Sequence, residues 1–502
     1  MNLKLETIVN EFLEYVKKMT AYNEALGLIF WDLRTGAPKK GVEQRSEVIG
    51  MLSEDVFEMS TSDKMAAYIR ELSSQKQDLS ASVRTILEEC KKNYERNKKI
   101  PAAEYKQYVV LQSQAENVWE EAKEASDFEK FRPYLEKLVD FNKKFIDYWG
   151  YEDNKYNTLL DMFEPGVTVS VLDEVFGQLR NEIVPLVHQI KEASQPQTDF
   201  LFKSFPKQKQ KEFSLEILKQ MGYDFQAGRL DETVHPFAIG LNPGDVRVTT
   251  KYDESDWRTA VFGTIHEGGH ALYEQNIAAD LIGTPLCTGT SMGIHESQSL
   301  FYENFIGRDY AFWKKNYDLL KTYASGQFDP ISLDNFYRAI NESKPSLIRI
   351  EADELTYALH IIIRYEIEKG LFNDEIEVKD LPRVWNEKYE EYLGVTPSND
   401  SEGVLQDVHW AGGSFGYFPS YALGYMYAAQ LKTSMLTDLP HFEQLLEKGD
   451  LAPIKEWLTE RVHQHGKMKK PLEILKDATG EGLNASHLIT YLKDKYSKVY
   501  GL

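Results

Sequence analysis

A chain of 502 residues with 42% hydrophobic and 12% aromatic side chains has the apolar material for a large core, which excludes an intrinsically disordered protein. Its 79 acidic against 58 basic residues give a formal net charge of −21, which repels phosphate backbones and disfavours nucleic acid as a partner. Two cysteines, Cys90 and Cys287, are too few for a disulfide framework or a thiolate metal cage, and no segment reaches the ~20 apolar residues of a membrane span.

The N-terminus interleaves charges with leucines and lacks an apolar signal core, so the expectation is a cytoplasmic protein without membrane contact. The first 230 residues read as helical. Val48, Met51, Leu52, Val56 and Phe57 recur at helical spacing, as do Phe128, Phe131, Tyr134, Leu135 and Leu138, and both stripes predict core faces. Gly150 marks a helix stop, and a further helix through Pro185 is expected to bend there. Between His235 and Asp253 the period falls to about two around Asn242-Pro243-Gly244-Asp245. This predicts a β-hairpin with Val246 and Val248 on one face and Arg247 and Thr249 on the other. From Trp257 the helical pattern resumes and runs to Lys498. No repeat or low-complexity linker divides the chain, so residues 1–502 are expected to form one catalytic domain.

The stretch FGTIHEGGHALYEQN carries His266-Glu267-Gly268-Gly269-His270. Histidines four apart share one face of a helix, about 6 Å apart along its axis, and both imidazoles can reach one zinc ion. Glu267 is then placed to take a proton from a water that the metal polarises, the role of a general base. Two adjacent glycines each cost a helix about 0.8–1 kcal/mol relative to alanine, so they point to a substrate or a close-packed neighbour. A catalytic zinc needs a third protein ligand. Downstream, MGIHESQSLFYENFIG reads as a helix from near Ile294; Glu296 completes the usual set of two histidines and one carboxylate, with His295 as its competitor and Glu303 as a partner behind a ligand.

These motifs, with several others, resemble the M32 metallocarboxypeptidases over most of the chain. The resemblance rests on FWDLRTGAPKKG (Trp31, Asp32, Thr35, Pro38, Gly41), HPF at 235–237, DVRVT at 245–249, HEGGH at 266–270, HESQ at 295–298, IRIEAD at 348–353 and GVLQDVHW at 403–410, in matching order and spacing. It implies a mainly α, two-lobed fold of the neurolysin and angiotensin-converting-enzyme type with a deep channel, and release of single residues from peptide C-termini. It also implies His266, His270 and Glu296 as zinc ligands, Glu267 as general base and acid, and a homodimer. Cobalt(II) suits the same ligands as zinc.

A peptidase of this kind has to bind a free terminal carboxylate, which arginine can hold bidentately. Arg349 is the candidate, on a helix expected to begin at Pro345, with Asp353 as its i,i+4 partner. His409 is a candidate donor to the substrate carboxylate or the oxyanion. Tyr417 is the candidate hydroxyl donor to the tetrahedral intermediate, with Tyr421 as its rival. The hairpin offers an edge to which a peptide can add as a strand, with His235 near the site and Arg247 as a possible second positive charge. The competing readings are an endopeptidase or dipeptidyl carboxypeptidase on the same fold, and a peptide-binding protein with a vestigial metal site.

Overall fold

Helices carry the chain from end to end, as the 3.6-residue periodicity predicts. The computed structural model describes residues 3–502. It opens with the 33-residue helix α1 (Leu3–Thr35) and with α2 (Val42–Thr61), and helices continue through α3 (Lys207–Met221). Gly150 ends the helix Phe128–Trp149 at φ 83°, a conformation that side chains disfavour. Phe128, Phe131, Leu135 and Leu138 are buried on that helix, and Tyr134 is half-buried. The helix Val169–Lys191 runs unbroken through Pro185.

The stripe on α2 departs from expectation. No residue of α2 is buried, and Val48, Met51 and Phe57 are exposed, Phe57 stacking on Tyr105 with ring centroids 6.1 Å apart. Periodicity reports that a helix has an apolar face, not that another element covers it.

The predicted hairpin is present as β2 (Ala238–Asn242) and β3 (Asp245–Thr250), antiparallel. Val246 and Val248 are fully buried on one face, as their alternation predicts, but Thr249 is buried too. A third strand, β1 (Leu230–Glu232), pairs with β3 in parallel and gives the order β1-β3-β2. Three residues, Leu-Asp-Glu, are too short to show a period of two, so β1 leaves no pattern in the sequence. β2 remains at the edge of the sheet.

The metal motif lies on α4 (Arg258–Gln275), and Glu296 on α5 (Met292–Leu300), which continues directly into a π-helical segment, Phe301–Gly307. α7 (Pro419–Asp438) packs against α5, and α6 (Tyr357–Phe372) packs against α7. Three long stretches are not helical, contrary to the expectation of helix to Lys498: residues 276–291 contain only the 3₁₀ turn Ala279–Leu281. Residues 341–356 contain only the 3₁₀ turn Arg349–Glu351, and residues 394–418 only Val408–Trp410. One continuous apolar cluster extends from Leu5 to Tyr500. Cys90 and Cys287 are both free. Among the described residues, no helix is long and apolar enough to cross a membrane.

The two glycines of the metal motif admit packed neighbours. A Cβ on Gly269 would stand 2.5 Å from the carbonyl oxygen of Gln298 and 2.7 Å from Cα of Ser299, so α5 crosses α4 backbone against backbone. At Gly268 a Cβ would meet only the side-chain ends of Leu218 and Met221 on α3, each at 2.8 Å. The two positions should therefore respond differently to alanine. For Gly269→Ala an overpacking cost of about 1–3 kcal/mol exceeds the helix-propensity gain of about 1 kcal/mol, and thermal unfolding shifts down. For Gly268→Ala the flexible ends yield and the two effects nearly cancel. Melting curves of the pair check this; equal midpoints would contradict the crossing.

Candidate metal centre

His266 and His270 project from one face of α4 with ring centroids 5.0 Å apart. Their Nε2 atoms lie 3.7 Å and 3.4 Å from the same oxygen, Oε2 of Glu296 on α5. The ligand atoms of the three residues all fall within 4.8 Å of one another, the spacing of donors around one ion. Each imidazole is fixed from behind. Nδ1 of His266 lies 2.9 Å from Oε2 of Glu303 on the π segment, and Nδ1 of His270 lies 2.6 Å from Nδ1 of His295. Nε2 of His295 in turn donates to Oε1 of Glu274 at 2.9 Å. With both Nδ1 positions engaged, both Nε2 atoms are left for a metal. His295 therefore stands behind His270, and Glu296 is the third of the residues that could hold an ion. Glu303 makes the contact expected of it.

The charges favour a cation. Glu267, Glu296, Glu303 and both histidines are packed together in a protein environment. Burial pushes the Glu267 carboxyl up to about 7 and the His270 imidazole down to about 4. His266 rises to about 10, against the pull of burial, because Glu296 and Glu303 face it. Arg308 donates to Glu303 at 3.1 Å, and together with His266 it holds that carboxyl well below the usual range despite burial. Two imidazoles and a carboxylate with an open side form the donor set of hydrolytic zinc sites, so the residues present fit a divalent metal. Glu267 lines the same cavity without a hydrogen bond to the protein among the described residues, with its carboxylate free to meet a substrate or water.

The cavity holding this cluster has a volume of about 910 Å³. Its walls include the edge strand β2 with His235, the cluster itself, Arg349, and three tyrosines, Tyr357, Tyr417 and Tyr421. Arg349 is buried, but its partner is not the expected one. It sits in the 3₁₀ turn and donates from Nη2 to Oδ1 of Asp407 at 2.8 Å, with Nε also on that carboxylate. Arg349 holds the Asp407 carboxyl below its usual range, opposing burial. Asp353 instead gathers Ser343 Oγ, Thr356 Oγ1 and three backbone amides, which ties the loop together. The i,i+4 pairing required a helix that the loop never forms. The rings of Phe418 and Tyr421 lie 5.1 Å and 5.3 Å from the Arg349 guanidinium carbon.

His409 is not among the residues lining the cavity. It stacks on Tyr417, with ring centroids 5.7 Å apart, and burial keeps its imidazole neutral, down to about 3. Arg247 lies elsewhere, paired with Asp245 at 2.7 Å in a separate cavity with Trp31, Asp32 and Arg45. It contributes no second charge beside the metal cluster.

The Carboxypeptidase Taq (M32) metallopeptidase model matches residues 11–496. The chain belongs to the M32 metallopeptidase family. It is 62% identical over 499 residues to carboxypeptidase 1 of Bacillus subtilis (strain 168), covering 99% of this chain and all of that one. It is 38% identical to thermostable carboxypeptidase 1 of Thermus thermophilus, with 99% of each chain covered. The crystal structure of an M32 carboxypeptidase from Deinococcus radiodurans R1 superposes with a TM-score of 0.95 at 34% identity, covering 99% of this chain and all of that one. As an M32 carboxypeptidase the protein acts on peptides, and the family implies a divalent metal, for which His266, His270 and Glu296 offer a site.

Several residues in or behind this cavity escaped sequence reasoning: Tyr357, Asp407, Glu274 and Arg308. Asp407 carried a signal, since it stands two residues before His409 in GVLQDVHW. The others are brought in by tertiary contacts alone. Because Glu303 fixes the free nitrogen of His266, Glu303→Gln is expected to weaken zinc binding by roughly 10–100-fold. Competition against a chromophoric chelator measures this, and an unchanged affinity would remove Glu303 from the site.

Proposed function

We propose that the protein is a zinc-dependent carboxypeptidase that removes single residues from the free C-terminus of peptides with broad side-chain tolerance. The observation that carries this reading is a buried arginine, Arg349, lining one cavity with the His266–His270–Glu296 cluster and Glu267. A bound zinc ion, or cobalt(II) in its place, supplies a Lewis acid that polarises the scissile carbonyl and water.

The remaining work falls to side chains of the chain itself. Arg349, braced by Asp407, binds the terminal carboxylate and sets which bond is presented. The unpaired edge of β2 takes the peptide backbone as an added strand, which makes binding tolerant of side chains. Glu267 accepts a proton from the attacking water at its carboxylate and returns it to the leaving amine. Tyr417 donates its hydroxyl to the developing oxyanion, Tyr421 being the alternative donor on the same wall. His409, a neutral imidazole stacked behind Tyr417, holds that ring in place. The family resemblance supports one catalytic unit over the whole chain, working as a homodimer. Two free cysteines suit the cytoplasm.

Mass spectrometry of products from a short unblocked peptide tests the reading. Stepwise loss of single C-terminal residues is expected, abolished by C-terminal amidation and by chelation. Glu267→Gln is expected to lower kcat by roughly 10²–10⁴-fold, the usual worth of a general base. Arg349→Met removes one member of a buried charged contact, worth about 2–5 kcal/mol, and should act mainly through KM. Dipeptide release or internal cuts that survive amidation would refute the Arg349 role and favour the endopeptidase reading.

A further inference from the structure

Glu164 follows the helix Lys155–Phe163, far upstream of the metal helices, yet it is packed against the start of α5 and only 1% exposed. Its Oε1 accepts from Ser291 Oγ at 2.9 Å and from Tyr427 Oη at 3.0 Å, and its Oε2 accepts from the Gly293 amide at 2.8 Å. Each donor belongs to the frame around Glu296. Ser291 is the N-cap of α5 and accepts from the Ile294 amide at 3.0 Å, Gly293 lies in the first turn, and Tyr427 stands on α7. A Cβ on Gly293 would come within 2.7 Å of Glu164 Oε2, so the approach depends on that glycine.

A buried carboxylate with no cation beside it is expensive. Glu164 has no ion-pair partner among the described residues, and burial pushes its carboxyl up to about 7 against the pull of its three donors. An apolar side chain would fill such a site at lower cost, so simple packing does not account for it. What the carboxylate does is fasten three elements at one point, one turn before Glu296. α5 passes straight into the π segment at its C-terminal end, so its N-terminal end is the one these contacts hold. The preceding loop is clamped in the same manner by Glu274, which accepts from the Gly289 amide at 3.0 Å and from Thr288 Oγ1 at 3.3 Å. On the far side, α7 comes so near that a Cβ on Gly424 would stand 2.7 Å from Cβ of Glu296.

We infer that Glu164 is a positioning residue for the metal site: by anchoring the N-terminus of α5 to α7, it sets where the carboxylate of Glu296 meets His266 and His270. This inference rests on those three residues being the metal ligands. Glu164 does not touch the metal or the substrate; it acts through the helix that delivers the ligand.

The test uses the full-length protein, stripped with chelator and reloaded with zinc or cobalt(II). Affinity is read by competition with a chromophoric chelator, coordination by the visible cobalt(II) bands, and stability by thermal melting. Glu164→Gln keeps the shape but turns one acceptor into a donor facing three donors. It is expected to weaken metal binding roughly 10–100-fold and to alter the cobalt spectrum. Tyr427→Phe removes one donor and should produce a smaller change of the same kind. Asn142→Ala removes a buried hydrogen bond to Tyr108 in another part of the core, and should lower the melting temperature with metal affinity and spectrum unchanged. If Glu296→Gln loses metal while Glu164→Gln binds it within twofold of the wild type, the inference fails alone. If Glu296→Gln binds as tightly as the wild type, the ligand assignment beneath it fails. Should Glu164→Gln not fold, Tyr427→Phe decides, and an unchanged affinity and spectrum in it would overturn the inference.

Discussion

Glu296 meets two histidines of a neighbouring helix beside a crossing at which the two backbones nearly touch, and the rest of the site is arranged around that crossing. His266 and His270 lie on α4 and Glu296 on α5, and the contact at Gly269 brings the helices close enough for the carboxylate to reach both Nε2 atoms. α7 closes on α5 from the other side at Gly424. The motif HEGGH thus places two candidate metal ligands and a free carboxylate on one helix, while its glycines admit the helices packed against it. The cost of two glycines in a helix interior is offset by packing that a larger residue would block.

Around this crossing, buried charges fasten the stretches that are not helical. Glu368 on α6 accepts from the Trp410 indole and the Gly416 amide, each at 2.8 Å, and pairs with Arg364 at 2.9 Å. The loop carrying Asp407, His409 and Tyr417 is thereby tied to a rigid helix. Asp407 in turn orients Arg349, and Asp353 knots the loop that holds it. Loops without regular hydrogen bonding can still present groups accurately when buried carboxylates take up their amides and donors. The cavity consequently has the three candidate metal ligands on helices, Arg349 on a braced turn, and part of strand β2 in a further wall.

The local parts of this arrangement were legible in the sequence. Residues four apart on one helix share a face whatever the rest of the chain does, so His266, Glu267 and His270 could be read directly, and Glu296 followed from the chemistry of a third ligand. The helical majority and the hairpin also announced themselves by period. What depended on distant contacts did not. Arg349 was found, but its partner Asp407 lies 58 residues away across two loops, and the nearer Asp353 was the natural wrong choice. β1 is too short to show a pattern. The stripe on α2 looked like core, yet Val48, Met51 and Phe57 are exposed and Leu52 and Val56 only half-buried, because amphipathicity does not name a partner. Glu164 and Glu274 carry no motif at all; only the fold brings them to the frame of the metal site.

The central claim is that His266, His270 and Glu296 hold one divalent metal. Anomalous diffraction from zinc-loaded crystals, collected on both sides of the zinc absorption edge, tests it most directly. The account predicts a single strong peak about 2.0–2.2 Å from both Nε2 atoms and a Glu296 oxygen, with His295 and Glu303 one layer further out. No peak at this position, or a peak ligated by His295 instead of Glu296, would contradict it.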